Sequence, residues 1–209
     1  MILLAGGVYS RWLSATQWDA DEGIQLVQAQ LMGRGYRLYS DIWMDQPPGV
    51  PLSLLAGFRI FGESVESGRL VVLLYALVGL AALAVLAAGL CVAAERHRLS
   101  RKPPSDAQSA PRWLSPGLAA VAAPLLMLLA PNFFWLARSV VRDIPATSMA
   151  TLAVALAVVY GNTARLRWLF LAGLVLGWAL WLKLTAALYG VPLVAFALPA
   201  VWGAPNRWR

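Results

Sequence analysis

The feature that most limits how this chain can fold is a series of long stretches without one charged side chain. Leu70 to Ala94 and Trp113 to Ala137 are 25 residues each, Ile144 to Ala164 is 21 and Leu184 to Asn206 is 23. About 20 helical residues cross a hydrocarbon core, so each run is long enough to span. Between Arg167 and Lys183 lie 15 more uncharged residues, sufficient if the lysine snorkels to the interface beside Trp178 and Trp181. Only 13% of the chain is charged, against about 25% in soluble domains, and a water-soluble fold could not hide the apolar surface that remains. The expected fold class is all-α, a polytopic transmembrane helix bundle of about six spans. The first span is incomplete, because only ten uncharged residues precede Arg11. No basic residue stands before them, so a cleavable signal peptide is poorly supported.

Charge placement then sets the expected topology. The formal net charge is +7, but the bases sit in short loops between spans, which fits the positive-inside bias better than nucleic-acid binding. Residues 95–112 hold five basic and two acidic side chains; Arg165, Arg167, Arg207 and Arg209 mark two further segments. All three segments read as cytoplasmic, 95–112 being a Pro- and Ser-rich linker. Alternating spans place the first long loop (14–69), the 132–143 loop and Lys183 together on the other side. From Trp18 to Arg69 that loop carries seven of the ten acids. Cys91 is the single cysteine and His97 the single histidine, so neither a disulfide nor a Cys/His metal site is available within the chain. Fifteen arginines against two lysines suggest a bacterial, GC-rich source, and the expected location is the bacterial plasma membrane.

Within the loop, Ile24, Val27 and Leu31 recur at helical spacing before Gly33 and Gly35. This predicts a short amphipathic helix lying on the membrane surface, capped by Asp19 or Asp21, with Gln25, Gln28 and Gln30 off its apolar side. Pro47 and Pro48 lead into a second short apolar helix, Val50 to Phe61, ending at Gly62. At twelve residues it is interfacial or re-entrant rather than spanning.

Four acids can carry chemistry. Asp21 and Glu22 are adjacent carboxylates at a helix start, where one can act as general base toward a hydroxyl; acids also favour that position as caps. Asp45 precedes the two prolines, which can aim its side chain, although a turn acid looks the same. Asp143 opens a span as its N-cap, with Pro145 in the first turn. On the same face, Arg37, Arg138, Arg142 and Lys183 can neutralise a phosphate, or snorkel to lipid headgroups.

In order, Asp21-Glu22, Gly35-Tyr36-Arg37-Leu38-Tyr39-Ser40-Asp41, Asp45-Gln46-Pro47-Pro48-Gly49, Phe61-Gly62-Glu63-Ser64, Arg69-Leu70, Arg142-Asp143-Ile144-Pro145 and Leu182-Lys183-Leu184-Thr185 cover nearly the whole chain. This order resembles the N-terminal part of GT-C type membrane glycosyltransferases, the class that includes protein O-mannosyltransferases and the aminoarabinose transferase of lipid A. The resemblance implies transfer of a sugar, with inversion, from a polyprenyl-phosphate donor to a lipid, glycan or protein hydroxyl on the extracytoplasmic side. It implies Asp21, with Glu22 beside it, as the catalytic or acceptor-orienting acid, and Asp45 and Asp143 as further active-site acids. No cofactor follows with certainty; the resemblance allows a divalent metal at Asp45. Aminoarabinose transferases carry basic residues where this chain has Ile24 and Gln46, so the phosphate contacts fall to Arg138, Arg142 and Lys183. Membrane lipids are the other expected partner, and nucleic acid is not. Residues 1–209 are expected to form one transmembrane domain, the N-terminal half of a larger module. The alternatives are a non-catalytic fragment of such an enzyme, or a lipid or solute transporter; the near absence of charge within the spans speaks against an ion-coupled transporter.

Overall fold

The computed structural model describes residues 20–100 and 115–202, with side chains from Ala20 to Arg98 and from Ser115 to Phe196. The incomplete first span, Asp19 and linker residues 101–112 lie outside the described residues. The rest is helical, as an all-α chain should be, with one isolated bridge between Leu38 and Ile42. Two short helices come first, α1 (Ala20–Gly33) and α2 (Gly49–Phe61). They are followed by α3 (Val65–Ser100), α4 (Pro116–Leu129), the six-residue α5 (Pro131–Leu136), α6 (Asp143–Thr163) and α7 (Leu166–Leu182). A 3-10 turn (Leu184–Tyr189) and α8 (Gly190–Trp202) close the described chain.

Prolines and glycines explain most boundaries. Gly62, at φ 88°, ends α2 and returns its N–H to the Phe58 carbonyl, a backbone setting that favours glycine. Ser115 caps α4, its Oγ accepting from the Leu118 N–H at 3.1 Å, and Pro116 occupies the first turn. The uncharged run expected as one span from Trp113 does not continue as one helix. It breaks at Ala130, in extended geometry, because Pro131 cannot donate into the preceding turn and starts α5 instead. The last run starts as the 3-10 turn and passes directly into α8, Gly190 between them being helical (φ −60°, ψ −33°).

Two described helices, at Val65–Arg98 and Asp143–Thr163, are long and apolar enough to cross a membrane. They run parallel and packed: a Cβ on Gly79 would collide with Ser148, and one on Gly89 would come within 2.8 Å of Val158. On α6, Ala146, Ala150, Ala153 and Ala157 are buried. Small residues let helix backbones approach closely where dispersion and backbone packing, rather than exclusion from water, hold helices together. Much of α3 is exposed through Leu74, Leu77, Val85 and Leu90, a surface suited to hydrocarbon.

The topology gathers the loops. The first turns of α3 and α6 share one end of the bundle with the end of α7, where Lys183 meets Asp143. At the opposite end Arg96 Nη1 donates to the Asn162 carbonyl at 2.7 Å. The chain from α1 to α2, the 137–143 segment and Lys183 therefore lie together, as charge alternation predicted.

Candidate functional site

Helix α1 is turned so that its amides face inward. Gln25 and Gln28 are each 4% exposed, whereas Ile24 and Val27 are 47% and 50% exposed. Of the expected apolar stripe, Val27 thus points outward, Ile24 is half exposed and also borders the cavity, and the polar side forms a wall. Asp21, Gln25 and Gln28 are spaced four and three residues apart, so they share that wall. Asp21 lies in the first turn of α1.

The wall bounds a polar cavity of about 350 Å³, to which four separate parts of the chain contribute. Asp21, Ile24, Gln25 and Gln28 come from α1; Trp43, Asp45 and Gln46 from the following loop; Arg142 and Asp143 from the start of α6; and Lys183 from the end of α7. The Asp45 loop is braced by backbone bonds as well as by Pro47 and Pro48. Gln28 Nε2 donates to the Trp43 carbonyl at 3.1 Å, and the Tyr39 hydroxyl donates to the Gln46 carbonyl at 2.9 Å.

Two ion pairs lie at the cavity. Lys183 Nζ lies 2.7 Å from Asp143 Oδ1. Arg142 Nη1 stands 3.6 Å from Asp45 Oδ1, and its Nη2 lies 3.4 Å from Gln28 Oε1. The capping role expected of Asp143 is not what the structure shows: Asp143 is the first residue of α6, Arg142 precedes it without a side-chain cap, and the carboxylate bonds Lys183. The resemblance raised a metal at Asp45, but Asp45 faces Arg142 and Asp143 is bonded to Lys183. Among the described residues no three carboxylate, histidine or cysteine side chains group to hold an ion. The donor set does not fit a resident metal.

Two expected site residues lie elsewhere. Glu22 is buried and accepts from Arg69 Nε at 2.7 Å, Arg69 Nη2 at 2.8 Å and the Val140 N–H at 3.2 Å. It ties α1 to α3 and to the segment before α6, pointing away from the cavity that Asp21 lines. Arg138 stacks on Trp135, 4.6 Å from the ring centroid, and does not line the cavity. Sequence reasoning did not single out Gln28 as the anchor of Arg142, or Arg69 as the partner of Glu22. The only signal was helical spacing from Asp21 in the first case, and a charge at the start of an apolar run in the second.

Residues 111–207 match the family described as dolichyl-phosphate-mannose-protein mannosyltransferase. The match includes Arg138, Arg142, Asp143 and Lys183, whereas Asp21, Glu22 and Asp45 precede it. No curated protein and no solved structure matches the chain. The helical build of the described residues, the two span-length apolar helices among them and this family match bear out the resemblance read from the motifs: the chain is similar to the GT-C type membrane glycosyltransferases of the mannosyltransferase family.

Proposed function

We propose that the protein is a multi-pass membrane glycosyltransferase that moves a sugar from a polyprenyl-phosphate donor to a hydroxyl acceptor at the extracytoplasmic face. The observation that carries this reading is the convergence of Asp21, Asp45, Arg142, Asp143 and Lys183 on one polar cavity at one end of an apolar bundle. Carboxylates and bases in one cavity meet both needs of the reaction. Asp21 takes the proton from the acceptor hydroxyl. The acceptor oxygen forms its bond to the anomeric carbon from the face opposite the phosphate, the carbon–oxygen bond to phosphate breaks, and the configuration inverts. The electron pair leaves with the polyprenyl phosphate, whose charge Arg142 and Lys183 stabilise. Asp143 holds the Lys183 ammonium in place, and Asp45 does the same for Arg142.

On this reading Glu22 acts as a structural acid and Asp21 as the base. The test is turnover of a polyprenyl-phosphate sugar by purified protein in lipid nanodiscs. Asp21→Asn keeps the shape of the side chain and removes the base, and should lower kcat by about 10²- to 10⁴-fold. Wild-type turnover in that variant refutes the role of Asp21.

A further inference from the structure

We propose that Gln25 is a specificity-determining residue of this site, its side-chain amide hydrogen-bonding a hydroxyl of the bound sugar; this rests on the glycosyltransferase reading. Gln25 lines the cavity, and its Oε1 is buried with no protein donor. Its neighbour on the same helix face differs: Gln28 donates to the Trp43 carbonyl and accepts from Arg142. Two glutamines of equal burial thus differ, one bracing the cavity and one lining it with an acceptor that has no partner.

Folded proteins rarely bury an amide oxygen without a donor, because it loses its bonds to water and gains none in return. Arg142 has the complementary demand, its Nε being buried without an acceptor. A phosphate offers only acceptors: it can meet Arg142 and Lys183 but not the Gln25 oxygen. Asp21, Asp45 and Asp143 add further acceptors to the wall, so the occupant beside Gln25 must bring O–H or N–H donors. A sugar ring supplies hydroxyl hydrogens to Gln25 and the carboxylates, and hydroxyl oxygen to Arg142 Nε. A hydroxyl also satisfies the amide if its oxygen and nitrogen are exchanged. Selection of this kind is sharp, since a ligand lacking the hydroxyl leaves the buried amide unpaired.

The experiment measures binding, so it does not depend on turnover. Polyprenyl-phosphate mannose, polyprenyl-phosphate glucose and their monodeoxy analogues are titrated against wild type and Gln25→Leu in nanodiscs, alongside the thermal midpoint of each ligand-free protein. Wild type should bind one deoxy analogue about 10-fold more weakly than its parent. Gln25→Leu should bind that pair within about twofold, while its ligand-free midpoint stays level or rises, because an unpaired buried amide has been replaced by an apolar group. If Gln25→Leu does not fold, Gln25→Met provides the same comparison. Retained discrimination in the variant overturns the role of Gln25 and leaves the glycosyltransferase reading standing, as does equal wild-type affinity for every analogue. Failure of folded wild type to bind either parent overturns the donor reading and the role of Gln25 with it.

Discussion

Glu22 and Arg69, 47 residues apart in sequence, meet in a buried two-pronged ion pair, with Nε and Nη2 of the arginine 2.7 and 2.8 Å from the two carboxylate oxygens. Both side chains are almost fully covered, so removing one strands the other in a poorly solvating interior. Glu22→Gln should destabilise the protein by about 3–5 kcal/mol, read as a lower thermal midpoint in detergent. Arg69→Met should do the same, and Glu22→Leu combined with Arg69→Met should recover most of the loss. If either single variant is as stable as wild type, the pair does not anchor α1.

The Lys183–Asp143 pair is half open to the cavity, and ion pairs of that exposure contribute about 0–1 kcal/mol to stability. Lys183→Met should therefore shift the thermal midpoint little. If the ammonium meets the donor phosphate, the same variant should weaken polyprenyl-phosphate binding about 10-fold or more. A large drop in stability with unchanged affinity would make the lysine structural.

Arg142 is held by Gln28 on one side and Asp45 on the other. A lysine keeps its charge but not its planar fork, so Arg142→Lys should lower affinity for the phosphate donor while salt dependence of binding changes little. Gln28→Leu should give a similar affinity loss without touching the ligand, because the guanidinium loses its brace. Titration of polyprenyl phosphate against both variants at two salt concentrations decides this.

Gly49 begins α2 against the end of α7: a Cβ there would sit 2.5 Å from the Trp181 carbonyl oxygen, two residues before Lys183. Backbone cannot swing aside as a side chain can. Gly49→Ala should cost about 1–3 kcal/mol and push Lys183 out of register with Asp143, lowering donor affinity as well. Gly23→Ala, where a Cβ meets nothing within 4 Å, is the control and should be neutral or slightly stabilising.

Much of the architecture was legible in the chain. Uncharged runs gave α3 and α6, glycines and prolines marked the ends of α1 and α2, and alternation of basic loops brought the Asp45 loop, Asp143 and Lys183 to one end. Less was legible where a proline broke a run: Pro131 splits a stretch that hydropathy alone reads as continuous.

At the site, sequence determined which charged groups were available and that the topology would collect them, because a hydrocarbon core tolerates charge only at its edges. It could not separate Asp21 from Glu22, since adjacent helix residues are identical in local chemistry but project about 100° apart. Only packing decided that one lines the cavity while the other is held by Arg69 and the Val140 N–H. The same rotation turned Gln25 and Gln28 inward and Val27 outward, with Ile24 at the cavity as well. Spacing defines both faces of such a helix, and only its neighbours decide which face looks in.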